Sequence, residues 1–324
     1  MTIDLLSLLF LLLSLALSLA IVVPLTGGLV RFRANYNPKG LRLDAEGGVQ
    51  PHTGPVVSTF FGMLKRVYRI EGWAGLYKGL MPTLMATMVL TIFVVSAYKS
   101  TTLHHGSYNA PSAGPLGMLS YGIFMMMISL PSVIITYRAI ITPHKLPYFK
   151  PIYSLRVLLT PTERRRPWLI YLTPGLLLAE ILHIAYVVLI LKTLRHVLLP
   201  ALSKPGVPSK ADFTPVRVGV YFTLCLFSTA VLTPLEVIAT RLAIQRNHAA
   251  PEFNSVVQEA EGEGEEFAEY SDAEEDVIGL RNEDDPYLGM IDCARRIVAE
   301  EGYRALYRAW WLTLLGPLGG TFSG

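Results

Sequence analysis

An apolar run that carries a proline and, seven residues later, an arginine is written three times in this chain. The copies are PLTGGLVR from Pro24 to Arg31, PSVIITYR from Pro131 to Arg138, and PLEVIATR from Pro234 to Arg241. Their starts lie 107 and 103 residues apart. Self-similarity at one period constrains a chain more than any local signal, because each copy is a supersecondary unit that must bury its apolar face against the others. A single domain over 1–324 is therefore expected to divide into three units, residues 1–107, 108–205 and 206–324.

Composition says what surrounds those units. With 52% hydrophobic and 16% charged residues and a mean hydropathy of +0.41, the chain is more apolar than one soluble core of this size needs. The run from Leu5 to Val23 is almost continuous Leu, Ala, Ile, Val and Phe. At about 1.5 Å per residue it can cross about 30 Å of hydrocarbon. A signal peptide is the alternative; against it, Asp4 is the only early charge, no small-residue cleavage site follows, and the run continues into the first motif. Spans are expected in pairs near 5–31 and 82–97, 116–141 and 169–191, and 216–244 and 310–320. Unpaired backbone amides cannot face lipid, so each span should be a helix, its interior proline a kink whose freed carbonyl finds a partner inside the bundle. The fold class is all-α, integral to the membrane, with six spans in three pseudo-repeats.

The second half of each unit has its own mark. Glu71 opens EGWAGLYKG eleven residues before Pro82, Glu163 stands eleven before Pro174, and Glu301 opens EGYRALYRA with Leu312 at the same offset. On these residues the chain resembles the mitochondrial carrier family. That family's pattern is a proline, an acid two residues on, bases five and seven on, then an acid–glycine pair, an aromatic, a base and a glycine. The resemblance covers nearly the whole chain and implies the carrier fold, solute transport, and residence in a mitochondrial membrane, the inner one favoured and the outer one possible. It also implies that the acid and the first base pair between neighbouring odd helices to close the cavity on the matrix side. Here the acid positions hold Thr26, Val133 and Glu236, and the base positions hold Leu29, Thr136 and Ala239. An alternating ring of charges cannot form, so the gate reads as dismantled. Glu236 then needs another partner, such as Arg31, Arg138 or Arg241, to stay ionised. The outer ends of the even helices, where the family places an aromatic–acid pair and a base, hold Tyr98 with Lys99 and, in the second copy, Ile190. The last run stops before its equivalent position, which leaves either a short tucked helix or a truncated gene model.

Ionisable groups at membrane depth are costly and mark function. Glu180 and His183, three apart in LLLAEILHIAY, share one helical face and are the candidate substrate or proton site. The competing reading is a mutually bonded Glu–His pair that only holds helices together. No opposing base lies in the second or sixth run, so a phosphate-rich nucleotide is a poor cargo. Long basic connections between the first and second and the third and fourth runs mark the non-translocated side. Anionic lipid, cardiolipin included, is an expected partner of Gly72, Tyr77, Lys78 and Gly79 and, less securely, of Gly302, Tyr307 and Arg308, where Ala309 replaces the last glycine. The alternative is an interfacial aromatic belt.

Residues 251–286 carry fourteen acids against the single base Arg281 and read as a disordered loop, a tether to the basic faces or a dock for a basic partner, with Ser271 a phosphorylation candidate. Two cysteines, scattered histidines and the lack of a nucleophile motif or phosphate-binding loop argue against an enzyme, and no cofactor, metal or nucleic acid is expected. Two functions stay open: an alternating-access solute carrier with a small-molecule substrate, or a transport-incompetent derivative with a protein partner, serving as a scaffold in mitochondrial fusion, membrane shaping or protein insertion.

Overall fold

The computed structural model describes residues 5–39, 42–43, 49–50, 57–99, 114–144, 146–147, 150–200, 214–246, 277–282 and 285–322. Helices dominate. They run α1 Leu5–Ala34, α2 Phe60–Leu76, α3 Leu80–Lys99, α4 Pro115–Ile141, α5 Pro151–Leu158, α6 Pro161–Arg165, α7 Leu176–Ala185, α8 Lys192–Leu198, α9 Pro215–Ile244, α10 Met290–Glu300 and α11 Trp310–Phe322. A π-helical turn, Tyr186–Leu191, makes α7 and α8 one continuous rod. Between α1 and α2, two-residue strands β1 (Arg42–Leu43) and β2 (Val49–Gln50) pair antiparallel, Arg42 opposite Gln50.

Four stretches are long and apolar enough to cross a membrane: Leu13–Ala34, Pro115–Ile141, Leu176–Leu198 and Pro215–Ile244. α2 and α3, bent by 47° at their junction, add a fifth if they act together. The fold is all-α as expected, and among the described residues four of the six expected spans meet that length and hydropathy, five with the bent pair. α11 has 13 residues, about 20 Å at helical rise, and falls short. The fourth span also begins later than expected at residue 169. Pro167–Leu172 is a 3-10 turn, and Gly175, at φ 80°, lies so near the start of α10 that a Cβ there would sit 2.1 Å from the Met290 nitrogen. Only glycine permits both the left-handed turn and that approach.

Each odd helix contains its proline: Pro24 in α1, Pro131 in α4 and Pro234 in α9. A proline removes the N–H that would bond the carbonyl four residues earlier. In all three copies a tyrosine hydroxyl donates to that carbonyl instead: Tyr77 to Ala20 (3.2 Å), Tyr171 to Met127 (2.9 Å) and Tyr307 to Ala230 (3.3 Å). The kink in each odd helix is satisfied by the second half of its own unit.

The motif arginines and the acids of the second half-motif are joined in the same way. Arg31 pairs with Glu71 at 2.6 Å, Arg138 with Glu163 at 2.6 and 2.9 Å, and Arg241 with Glu301 at 3.0 Å through Nη2. All six side chains are buried. Glu163 also closes a capping box on α6: its N–H donates to Thr160 Oγ1, and its Oε2 accepts from the Thr160 N–H.

Bases reach from each unit into the next. Lys78 Nζ donates to Thr142 O at the end of α4, Arg138 Nη2 to Gln245 O at the end of α9, and Arg241 to Arg33 O and Asn35 O at the end of α1. Helix C-termini carry unpaired carbonyls and partial negative charge, and a cation answers both. First unit to second, second to third and third to first, the contacts close a ring.

α9 is the most enclosed span, with Val237 and Leu242 fully buried in a core shared with Ile134 of α4, Leu176 and Ala179 of α7, and Cys293 and Ile297 of α10. Outward residues such as Leu13, Leu17, Ile92 and Phe227 stay exposed, as a lipid-facing surface requires.

The acidic connection needs a shorter boundary than 251–286. Residues 251–276 lie outside the described residues, but the segment from Val277 is packed. Ile278 is buried beside Phe32 and Ala34, Gly279 N donates to Asn35 Oδ1 (2.9 Å) and its carbonyl accepts from Tyr36 N (2.8 Å). Arg66 Nε donates to Val277 O at 3.1 Å. The expectation of disorder fails there because two apolar residues, Val277 and Ile278, interrupt the charge run and find a core.

Candidate functional site

A cavity of about 650 Å³ opens between α1, α4, the α7–α8 rod, α9 and α11. Its polar lining is Arg33, Tyr137, Glu180, His183, Lys192, Arg195, Tyr221, Glu236, Thr240 and Thr313. Helix periodicity explains the α7–α8 share: Glu180 and His183 lie three apart, and beyond the π-helical turn Lys192 and Arg195 lie three apart again. One end of the rod thus brings an acid and an imidazole, the other two bases.

Glu236 stands in the part of the cavity near the prolines, with Ala239 and Thr240 lining it one turn further on. It sits two residues past Pro234, and its Oε2 accepts from Arg33 Nη2 at 2.5 Å and from Thr313 Oγ1 at 2.7 Å. Thr313 in turn accepts from the same Arg33 nitrogen at 2.9 Å. His183 Nε2 lies 3.3 Å from Glu236 Oε1. A single carboxylate therefore ties α1, α7, α9 and α11 together.

This arrangement corrects two expectations. Glu236 does keep an ion partner, but it is Arg33. Arg31, Arg138 and Arg241 are committed to Glu71, Glu163 and Glu301. Arg33 stands two residues beyond the motif arginine, where the other copies have Ile140 and Ala243, so no repeat pattern pointed to it. Likewise Glu180 and His183 share a helical face without bonding each other; the histidine turns to Glu236. Glu180 lines the cavity and accepts no hydrogen bond among the described residues. The bonded-pair reading of Glu180 and His183 is set aside.

The residues expected to meet lipid also make contacts inside the bundle. Lys78 is buried and donates to Glu71 Oε1 and Thr142 O, each at 2.5 Å. Arg308 donates to Glu301 Oε2 at 3.0 Å and to Asn35 O. Tyr77 and Tyr307 bind the kink carbonyls. Gly72, Gly79 and Gly302 serve the backbone, with φ of 67°, 88° and 90°, and Ala309 adopts φ 58° where the first copy has Gly79. The Tyr98 and Lys99 side chains lie outside the described residues.

Outside the spans, two groups flank this end of the bundle. Tyr36 donates to Glu300 Oε2 at 2.8 Å; burial, then that carboxylate, push its hydroxyl up to about 12. Burial pushes the Cys293 thiol up to about 12. A second, smaller hollow of about 210 Å³ lies near Tyr36, Arg246, Arg281 and Tyr287.

Proline-bearing helices of all three units surround a cavity lined by charged residues, the architecture of a multi-spanning membrane protein. The chain matches the family described as mitochondrial carrier protein over residues 13–106 and 222–322, more than half its length, and it belongs to that family. The matched segments hold the first and third motif copies; Pro131, Arg138 and Glu163 lie between them. A search among curated proteins finds no match to the chain.

Proposed function

We propose that this protein moves a small solute across the inner mitochondrial membrane by alternating access. The observation that carries the reading is the cavity of about 650 Å³ bounded by helices of all three units, with Glu180, His183, Arg33 and Glu236 at membrane depth. A volume of this order suits a metabolite-sized ligand. In this reading the Arg33–Glu236–Thr313 cluster closes the cavity on the matrix side, below it the three buried Arg–Glu pairs hold the closed form, and the proline kinks are the pivots. One asymmetric cluster thus does the work of a charge ring.

The test is counter-flow of labelled solutes into liposomes containing the purified chain, each solute also loaded inside. Saturable exchange that Glu236→Gln alters supports the carrier; a competently folded protein that exchanges nothing across solute classes overturns it. One feature favours a second reading, a carrier derivative acting as a scaffold: five of the six ring positions, Thr26, Leu29, Val133, Thr136 and Ala239, lack charge. Protease access in intact and opened mitochondria separates the two, since the carrier reading requires the 251–286 connection to be protected until the inner membrane is breached.

A further inference from the structure

The cavity contains one carboxylate with no assigned work. Arg33 and Glu236 neutralise each other, Thr313 and His183 take the remaining reach of Glu236, and Lys192 and Arg195 stand on the far part of the rod. Lys192 is twelve residues from Glu180, about 18 Å along the axis. Glu180 accepts no hydrogen bond among the described residues and faces the open space. A carboxylate held at that depth without a hydrogen-bond donor, with His183 near it but turned to Glu236, is costly unless a ligand supplies a closer partner.

An aromatic side chain lines the cavity with Glu180. Tyr137 of α4 lines the same cavity, is close enough to interact electrostatically with Glu180, and likewise makes no hydrogen bond among the described residues. A carboxylate with an aromatic ring is the pairing that recognises ammonium groups, the charge meeting the acid and the N–CH surface meeting the ring. With Arg33 answered by Glu236, an anionic group at this level would meet the unbonded Glu180. We infer that the cargo carries a protonated or quaternary amine, bound between Glu180 and the Tyr137 ring, with its other end toward Lys192 and Arg195.

This inference rests on the carrier reading, and binding separates the two. Purified full-length protein in detergent is unfolded thermally with choline, with putrescine and, as the anionic control, with succinate. At least one amine at millimolar concentration should raise the unfolding temperature of the wild type, and succinate should not. Glu180→Gln should abolish the shift. Tyr137→Phe, which keeps the ring, should retain it, and Tyr137→Leu should raise the half-saturating concentration about tenfold. A shift from succinate alone, no shift from either amine, or an undiminished amine shift in Glu180→Gln overturns the inference. If Glu180→Gln does not fold, the wild-type ranking of amine over succinate and the Tyr137→Leu displacement still decide it. Amine binding that depends on Glu180 without counter-flow would sink the carrier and leave the site; anion counter-flow without amine binding would do the reverse.

Discussion

The three buried Arg–Glu pairs are equivalent by sequence and unequal in environment, so they should respond unequally to mutation. Glu163 is wholly enclosed and serves both Arg138 and the Thr160 cap. Glu163→Gln leaves Arg138 without its counter-ion and should cost about 3–5 kcal/mol, seen as a lowered midpoint in detergent unfolding. Replacing Arg138 by Met in the same chain should recover part of the loss, because what hurts is the orphaned charge rather than the missing pair. The kink tyrosines make a milder set: Tyr77→Phe, Tyr171→Phe and Tyr307→Phe each strand one carbonyl and should each cost about 1 kcal/mol. Cys293 has no exposed surface and a thiol pushed up to about 12 by burial. The nucleophile is the thiolate, so a maleimide at pH 8 should leave Cys293 unmodified in the native protein and label it after denaturation. Labelling at the rate of a free thiol would show that α10 does not pack as described. At this scale the sequence was half legible. The prolines, arginines and acids announced themselves by repetition, whereas Arg33 and Tyr137 occur where only one copy has the working residue, and Tyr171 does its shared work from a different offset than Tyr77 and Tyr307; a repeat cannot advertise a residue it does not repeat.

The elements test how far one unit predicts another. Gly79 and Ala309 occupy the same offset and both have positive φ, 88° and 58°. Left-handed backbone costs a residue with a Cβ about 1–2 kcal/mol. Ala309→Gly should therefore stabilise the third unit by about 1 kcal/mol, while Gly79→Ala should destabilise the first, since its Cβ would also lie 2.9 Å from Ile140 Cγ1. Equal effects of one sign would mean that the two turns are not equivalent. The packed segment after the acidic run is held by Ile278 and by Arg281, which bridges Asp285 and Glu300. Arg296, then Arg281, hold the exposed Asp285 carboxyl below its usual range. A carboxyl depressed in the folded state adds stability above its ordinary pKa and loses it as pH falls through the depressed value. Trypsin cleavage at Arg281 should accordingly stay slow at neutral pH and quicken in Asp285→Asn and, more strongly, in Ile278→Asp. That this segment would dock was not readable from composition: two apolar residues decide it, and a charge count averages them away. Helix starts were misread for a related reason, because Gly175 looks like any turn glycine until the approach of Met290 is seen.

Across the whole molecule, the ring that repetition led one to expect at the second and fifth positions after each proline is replaced by two others. The first is the set of Arg–Glu pairs within units, the second the set of cation-to-carbonyl contacts between them, Lys78 to Thr142, Arg138 to Gln245 and Arg241 to Asn35. Both are legible only in part, since the acids and bases are visible in the sequence but their carbonyl partners belong to the backbone of the next unit. In the carrier reading the closure above them is the cluster centred on Glu236, and a barrier with one keystone should fail from one substitution. Gly316 lines the cavity one turn from Thr313, toward the open side, and a Cβ there would meet nothing within 4 Å. In a chain with Cys225→Ser and Cys293→Ser, a cysteine introduced by Gly316→Cys should react with a membrane-impermeant maleimide from the cavity's open side and be protected from the other. Adding Glu236→Gln removes the charge that holds Arg33 and His183, while the three Arg–Glu pairs stay intact. If Glu236 is the keystone, the cysteine becomes reactive from both sides and the unfolding temperature falls only modestly. If it stays protected, the two rings alone close the bundle, and Glu236 belongs to the cargo site rather than to the gate.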